Sequence, residues 1–129
     1  MKLLLDTHAI LWALSADPRL SSQAQDLYEN STELLFSMVS LWEIGIKLGL
    51  QRSDFALKEL WWKEIPQTLV AQGATRLDID PQHCHMVSGL PLHHRDPFDR
   101  MLIAQAIAND CAILSIDTQL DAYGIQRFW

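Results

Sequence analysis

The stretch Leu3-Leu4-Leu5-Asp6-Thr7-His8-Ala9-Ile10-Leu11-Trp12-Ala13-Leu14 decides the fold class. Its three leucines form a short apolar run closed by an acid, the pattern of a strand buried on both faces. Thr7 and His8 lead into a helix over residues 9–14, which Asp17-Pro18 ends. The same alternation recurs outward from this point. Ser21 or Ser22 caps a second helix to about Tyr28, and Glu33-Leu34-Leu35-Phe36-Ser37 reads as a second strand. Ser40-Leu41-Trp42-Glu43-Ile44 opens a third helix, with Ser40 and Glu43 at capping-box spacing. Residues 55–72 are helical by pattern, with Pro66 marking a break between two helices. A short strand at 75–79 and a helix at 81–90 follow. The best helix is 97–110, with Leu102, Ile103, Ala106 and Ile107 on one face. Strands at 112–116 and 124–128 complete the chain.

Short apolar strands alternating with helices imply an α/β fold: a mainly parallel central sheet covered on both faces, in one domain of residues 1–129. At 129 residues and 49% hydrophobic content, the chain is long enough to bury a core without staples. That content excludes a disordered chain, and five glycines and five prolines exclude a collagen-like one. No apolar run reaches the roughly 18 residues of a membrane span. Asp6 and His8 interrupt the apolar start, so it reads as a strand rather than a secretory leader. Cys84 and Cys111 make no disulfide framework, and His83-Cys84-His85 lacks the spacing of a zinc site. The expectation is a cytoplasmic protein.

In an open parallel sheet the ligand crevice lies beyond the carboxyl ends of the strands. Asp6 and Asp117 follow strands there, Glu43 sits on the helix after the second strand, and Asp96 and Asp99 begin the long helix. Acids so gathered repel unless a cation is present. An oxygen-only set suits Mg²⁺ or Mn²⁺, and such ions serve phosphodiester hydrolysis. Each acid also has a plainer role. Asp96 suits a helix cap, Asp117 a turn, and Glu43 a helix-start acid near the dipole. Asp6 resists such a reading, because an acid ending a buried strand needs a partner.

These segments match a family pattern. Leu5-Asp6-Thr7-His8-Ala9-Ile10-Leu11-Trp12 resembles the opening of PIN-domain ribonucleases, specifically the VapC-type toxins of toxin–antitoxin modules. Ser37-Met38-Val39-Ser40-Leu41-Trp42-Glu43-Ile44 resembles their second motif, the stretch from His94 to Ala106 their third, and Leu114-Ser115-Ile116-Asp117 their fourth. The resemblance implies a three-layer α/β/α fold and a Mg²⁺-dependent endoribonuclease. It makes Asp6, Glu43, Asp99 and Asp117 the catalytic, metal-binding acids, and implies an RNA substrate, a homodimer and an inhibitory antitoxin. Thr7, Ser115, Asp96 and Arg100 flank these acids as candidates for supporting them or contacting RNA.

A net charge of −6 opposes bulk attraction to RNA, which leaves local charge from Lys47, Arg52, His93, His94, Arg95 and Arg100. His93-His94 reads as a solvated loop, and Arg100 as a phosphate contact or the partner of a carboxylate. Trp61 and Trp62 point about 100° apart on a helix, so one of them faces a groove or partner. Trp12 and Trp42 read as core. Three other functions compete. A phosphoaspartate phosphatase would use Asp6 as nucleophile, but it wants an acid where His8 stands. A PIN-type RNA-processing nuclease and a non-catalytic PIN-like binding module are the other two.

Overall fold

Leu3, Leu4 and Leu5 point alternately into two cores, as successive residues of a strand must. In the computed structural model, which describes residues 1–51 and 55–129, Leu3 and Leu5 pack with Ile10, Trp12, Phe36, Ile44 and Leu69 on one face of the sheet. Leu4 packs with Val39, Leu102, Ile103 and Ile113 on the other. The strand β1 (Lys2–Leu5) is therefore central, and its three leucines are fully buried. The remaining strands are β2 (Glu33–Ser37), β3 (Thr75–Leu77), β4 (Ala112–Leu114) and β5 (Arg127–Phe128). They form one sheet in the order β3-β2-β1-β4-β5, and every pairing is parallel.

Parallel neighbours need crossover connections, and helices supply them. These are α1 (Thr7–Leu14), α2 (Ser22–Asn30), α3 (Met38–Gly49), α4 (Trp61–Ala71), α5 (Pro81–Gly89) and α6 (Pro97–Asn109). A 3₁₀ helix, Thr118–Tyr123, joins β4 to β5 and ends at Gly124, whose φ of 72° favours glycine. From β1 the chain builds outward through β2 and β3, then returns to the other side of β1 with β4. The order reverses between β1 and β4, and such a reversal opens a crevice at the carboxyl ends.

Three local expectations change. The third helix starts at Met38, capped by Ser37, whose side chain accepts the Val39 N–H at 3.0 Å. Ser40 is thus a buried residue within α3 and caps nothing. The helix expected at 55–72 begins only at Trp61; Phe55 and Leu57 instead pack against the core from an irregular segment. Pro66 lies inside an unbroken α4. A proline there frees only the carbonyl four residues earlier, on exposed Trp62, where water can satisfy it. The last three strands are shorter than their patterns: β3 pairs with β2 over three residues, β4 with β1 over three, and β5 with β4 over two. Arg52 lies outside the described residues. Among the described residues, no helix is long and apolar enough to cross a membrane.

Candidate active site

Three acids at the carboxyl edge each cap the element that follows them. Asp6 Oδ1 accepts the Ala9 N–H of α1 at 2.7 Å. Asp96 Oδ1 accepts the N–H groups of Phe98 and Asp99 at 2.8 and 3.2 Å. Asp117 Oδ1 accepts the Gln119 N–H at 2.9 Å. A helix start carries unpaired N–H groups and positive partial charge, so it lowers the cost of placing carboxylates together. Capping and function are not alternatives here, since Asp117 keeps its second oxygen for the crevice.

The side nearest β1 is buried. Asp6 and Glu43 are 8% and 3% exposed, and Thr7, Ser40 and Ser115 around them are buried. The Thr7 hydroxyl donates to Glu43 Oε1 at 2.6 Å and lies 3.1 Å from Ser40 Oγ, so Ser40 serves α1–α3 packing. Burial raises the Asp6 pKa against the opposing pull of the Ser115 hydroxyl and the Ala9 N–H, and the Glu43 charge raises it further. Ser115, just past β4, thus reaches Asp6 at the end of β1, and it also accepts the Asp117 N–H at 3.0 Å. Lys47, one turn along α3, places its ammonium 2.5 Å from Glu43 Oε2. Burial disfavours that charge, but Glu43, with Asp96 and Asp99 beyond it, outweighs burial and raises the Lys47 pKa.

The other side is half-open and contains a residue the sequence reading placed in solvent. His94 is 9% exposed. Its Nε2 lies 2.8 Å from Asp117 Oδ2 and 3.2 Å from Asp99 Oδ2. Ligand atoms of His94, Asp99 and Asp117 all fall within 4.8 Å of one another. Burial, then the charges of Asp96, Glu43 and Asp6, push Asp99 up to about 7, while His94 opposes them. The one available signal for His94 was its position inside the third motif; as a histidine in a polar, proline-bounded loop it looks solvated.

Among the described residues, Arg100 pairs with no carboxylate. Its guanidinium donates to the carbonyls of Val87, Leu90, Pro91 and His94 and to the Tyr123 hydroxyl, at 2.8–3.4 Å. It fastens the loop before α6. On α6, buried Gln105 accepts the Ser37 hydroxyl at 2.6 Å, so the helix bearing Asp99 is keyed to the end of β2. Of the paired tryptophans, Trp61 packs against the core, with its ring 3.6 Å from where a Cβ on Gly45 would lie. Trp62 is 58% exposed. Trp42, expected in the core, is 55% exposed and meets Phe98 edge-on at 5.0 Å. Its neighbour Glu43 takes the inward face of α3, and one helical step turns Trp42 outward.

Asp6, Glu43, Asp96 and Asp99 thus influence one another electrostatically, and His94 joins Asp99 to Asp117. Carboxyl oxygens dominate the set, and Asp99 is held near 7 by burial and then by neighbouring negative charge. That combination fits a hard divalent cation.

The PIN domain family model matches residues 3–126. Ribonuclease VapC22 of Mycobacterium tuberculosis is 26% identical over 121 residues, 93% of this chain and 90% of that protein. Among solved structures, the fold is similar to a chain of the VapBC2 complex of Rickettsia felis bound to a promoter DNA fragment. The TM-score is 0.68 at 14% identity, covering 99% of this chain and 98% of that one. A chain of the DNA-bound VapBC complex of Salmonella typhimurium also gives 0.68, at 17% identity over 99% and 97% of the two chains.

Proposed function

This chain belongs to the PIN-domain family, and from that premise we propose that it is a metal-dependent endoribonuclease, the toxin of a prokaryotic toxin–antitoxin module. Residues 1–129 act as one catalytic domain in the cytoplasm. Asp6, Glu43, Asp99 and Asp117 hold Mg²⁺, with Mn²⁺ able to replace it. When bound, such an ion supplies Lewis acidity to activate water and to stabilise charge on a phosphodiester. The chain's own groups prepare the place. Thr7 fixes Glu43, Ser115 fixes Asp6 and braces Asp117, and Asp96 caps α6 while adding negative charge near Asp99.

One observation carries the reading: acids from the ends of β1 and β4, the middle of α3 and the start of α6 gather where the strand order reverses, with Asp99 raised to about 7. The relative named a ribonuclease and the neighbours from toxin–antitoxin complexes support the same activity and an antitoxin partner. A homodimer completes the assembly, and exposed Trp62 belongs to a partner surface. Induced expression of the wild type and of Asp6→Asn tests the proposal. Growth arrest with cut RNA from the wild type alone is expected. Arrest from both forms, or intact RNA with soluble wild type, contradicts it.

A further inference from the structure

His94 is the one buried residue in a loop whose neighbours Leu92, His93 and Arg95 are exposed. Burying an imidazole there restricts the loop, and the structure restricts it from four directions. The His94 N–H donates to the Tyr123 hydroxyl at 2.8 Å, and that hydroxyl donates to the Pro91 carbonyl at 2.8 Å. The His94 carbonyl accepts from Arg100 at 3.4 Å. Its Nδ1 accepts the Asp96 N–H at 3.1 Å. Its Nε2 reaches Asp117 at 2.8 Å and Asp99 at 3.2 Å.

A ring that accepts at Nδ1 carries its proton at Nε2. Nε2 is therefore a donor shared between two carboxylates, and it has no lone pair for a metal. Asp99 comes from α6 and Asp117 from the end of β4, so like charge would part them without something between. We infer that His94 is a positioning residue: as the Nε2–H tautomer, locked by the Asp96 N–H, it bridges Asp99 and Asp117 and holds them at the spacing a divalent ion needs. Arg100 and Tyr123 act through it by fixing its backbone. The inference rests on the proposed metal-holding role of these acids.

Calorimetric titration of the metal-free chain with Mn²⁺ tests it, on wild type, His94→Ala and His94→Gln, with folding checked by circular dichroism. Partners that orient ligands change metal affinity by roughly 10–100-fold, so His94→Ala should lose about that much, and His94→Gln, whose amide N–H can replace Nε2–H, should stay within about threefold of wild type. Nitrogen-15 spectra of the metal-free wild type should show Nδ1 unprotonated and Nε2 protonated. Undiminished affinity in His94→Ala overturns the inference. So does loss in folded His94→Gln together with a directly bound nitrogen in the Mn²⁺ resonance spectrum, which would make His94 a ligand. Should His94→Ala fail to fold, His94→Gln decides: retained affinity supports positioning, and lost affinity overturns it. A wild type that binds no Mn²⁺ overturns the metal reading first, and the inference with it.

Discussion

The two sides of the acidic crevice are built differently. Asp6 and Glu43 are buried and held by residues from the strand ends and helix starts beside them, Thr7 and Ser115. Asp99 and Asp117 are more open, and they meet through His94, on a loop fastened by Arg100 and Tyr123. The first side is a product of the sheet and the helices that leave it: β1 ends at Asp6, and α3, leaving β2, brings Glu43 to the Thr7 hydroxyl at the start of α1. The second depends on long-range side-chain bonds to a loop. Disturbing the first should therefore act on charge and stability, and disturbing the second on geometry.

The largest effects should come from removing charge on either side. Asp6→Asn and Asp99→Asn should each lower RNA cleavage by at least about 100-fold, since each removes charge that a divalent ion needs. The buried side adds a distinguishing sign. Asn caps a helix about as well as Asp, and an amide relieves the cost of burying the Asp6 charge. Metal-free Asp6→Asn should unfold at an equal or higher denaturant concentration than wild type.

Next come the supporting residues, where the sides should diverge. Ser115→Ala leaves Asp6 short of a partner and should cost about 1–3 kcal/mol in denaturant unfolding. Tyr123→Phe removes the anchor of the His94 N–H from a partly exposed position. It should cost only about 1 kcal/mol, yet lower Mn²⁺ affinity more than Ser115→Ala does. The reverse ranking in affinity would break the comparison.

A third test uses pH. Folded Asp99 holds its proton up to about 7, well above its ordinary value of 3.8. Between those values the folded state binds more protons than the unfolded one, so stability rises as pH falls. Metal-free protein should become more stable as pH is lowered from 8 towards 5 and lose that gain as pH rises through 7, as read by thermal unfolding. Saturating Mn²⁺ should flatten or reverse the trend, because protons then compete with the ion. Away from the crevice, the paired tryptophans should differ, and Trp62 should show the smallest effect of all. Trp62→Ala should shift stability by less than about 0.5 kcal/mol, as exposed substitutions do. Trp61→Ala should cost about 2 kcal/mol, less than a fully buried tryptophan would, through lost packing near Gly45.

The same division governs what the sequence made legible. The parallel sheet and the position of Asp6 follow from period-2 burial and strand–helix alternation, which a single chain displays. The capping oxygens of Asp96 and Asp117 are likewise local signals. His94 was not legible, because its burial depends on Tyr123, 29 residues away, and on Arg100. Nor were Arg100's bonds to the carbonyls of Val87, Leu90 and Pro91, which depend on how α5 turns into α6. Pro66 misled because a proline rule weighs the lost N–H but cannot see that the orphaned carbonyl stands at a solvent-facing turn. Trp42 misled because its apolar neighbours suggest a core, while buried Glu43 beside it takes the inward face.

The central claim is that these acids form one divalent-ion site that cuts RNA. Its most direct test incubates purified protein with RNA in Mg²⁺, after removal of metal by a chelator, and after Mn²⁺ is added back. Cleavage should vanish with the chelator and return with either ion, and Asp99→Asn should stay inactive in all three conditions. Undiminished cleavage in the chelator, or full activity in Asp99→Asn, would contradict the account.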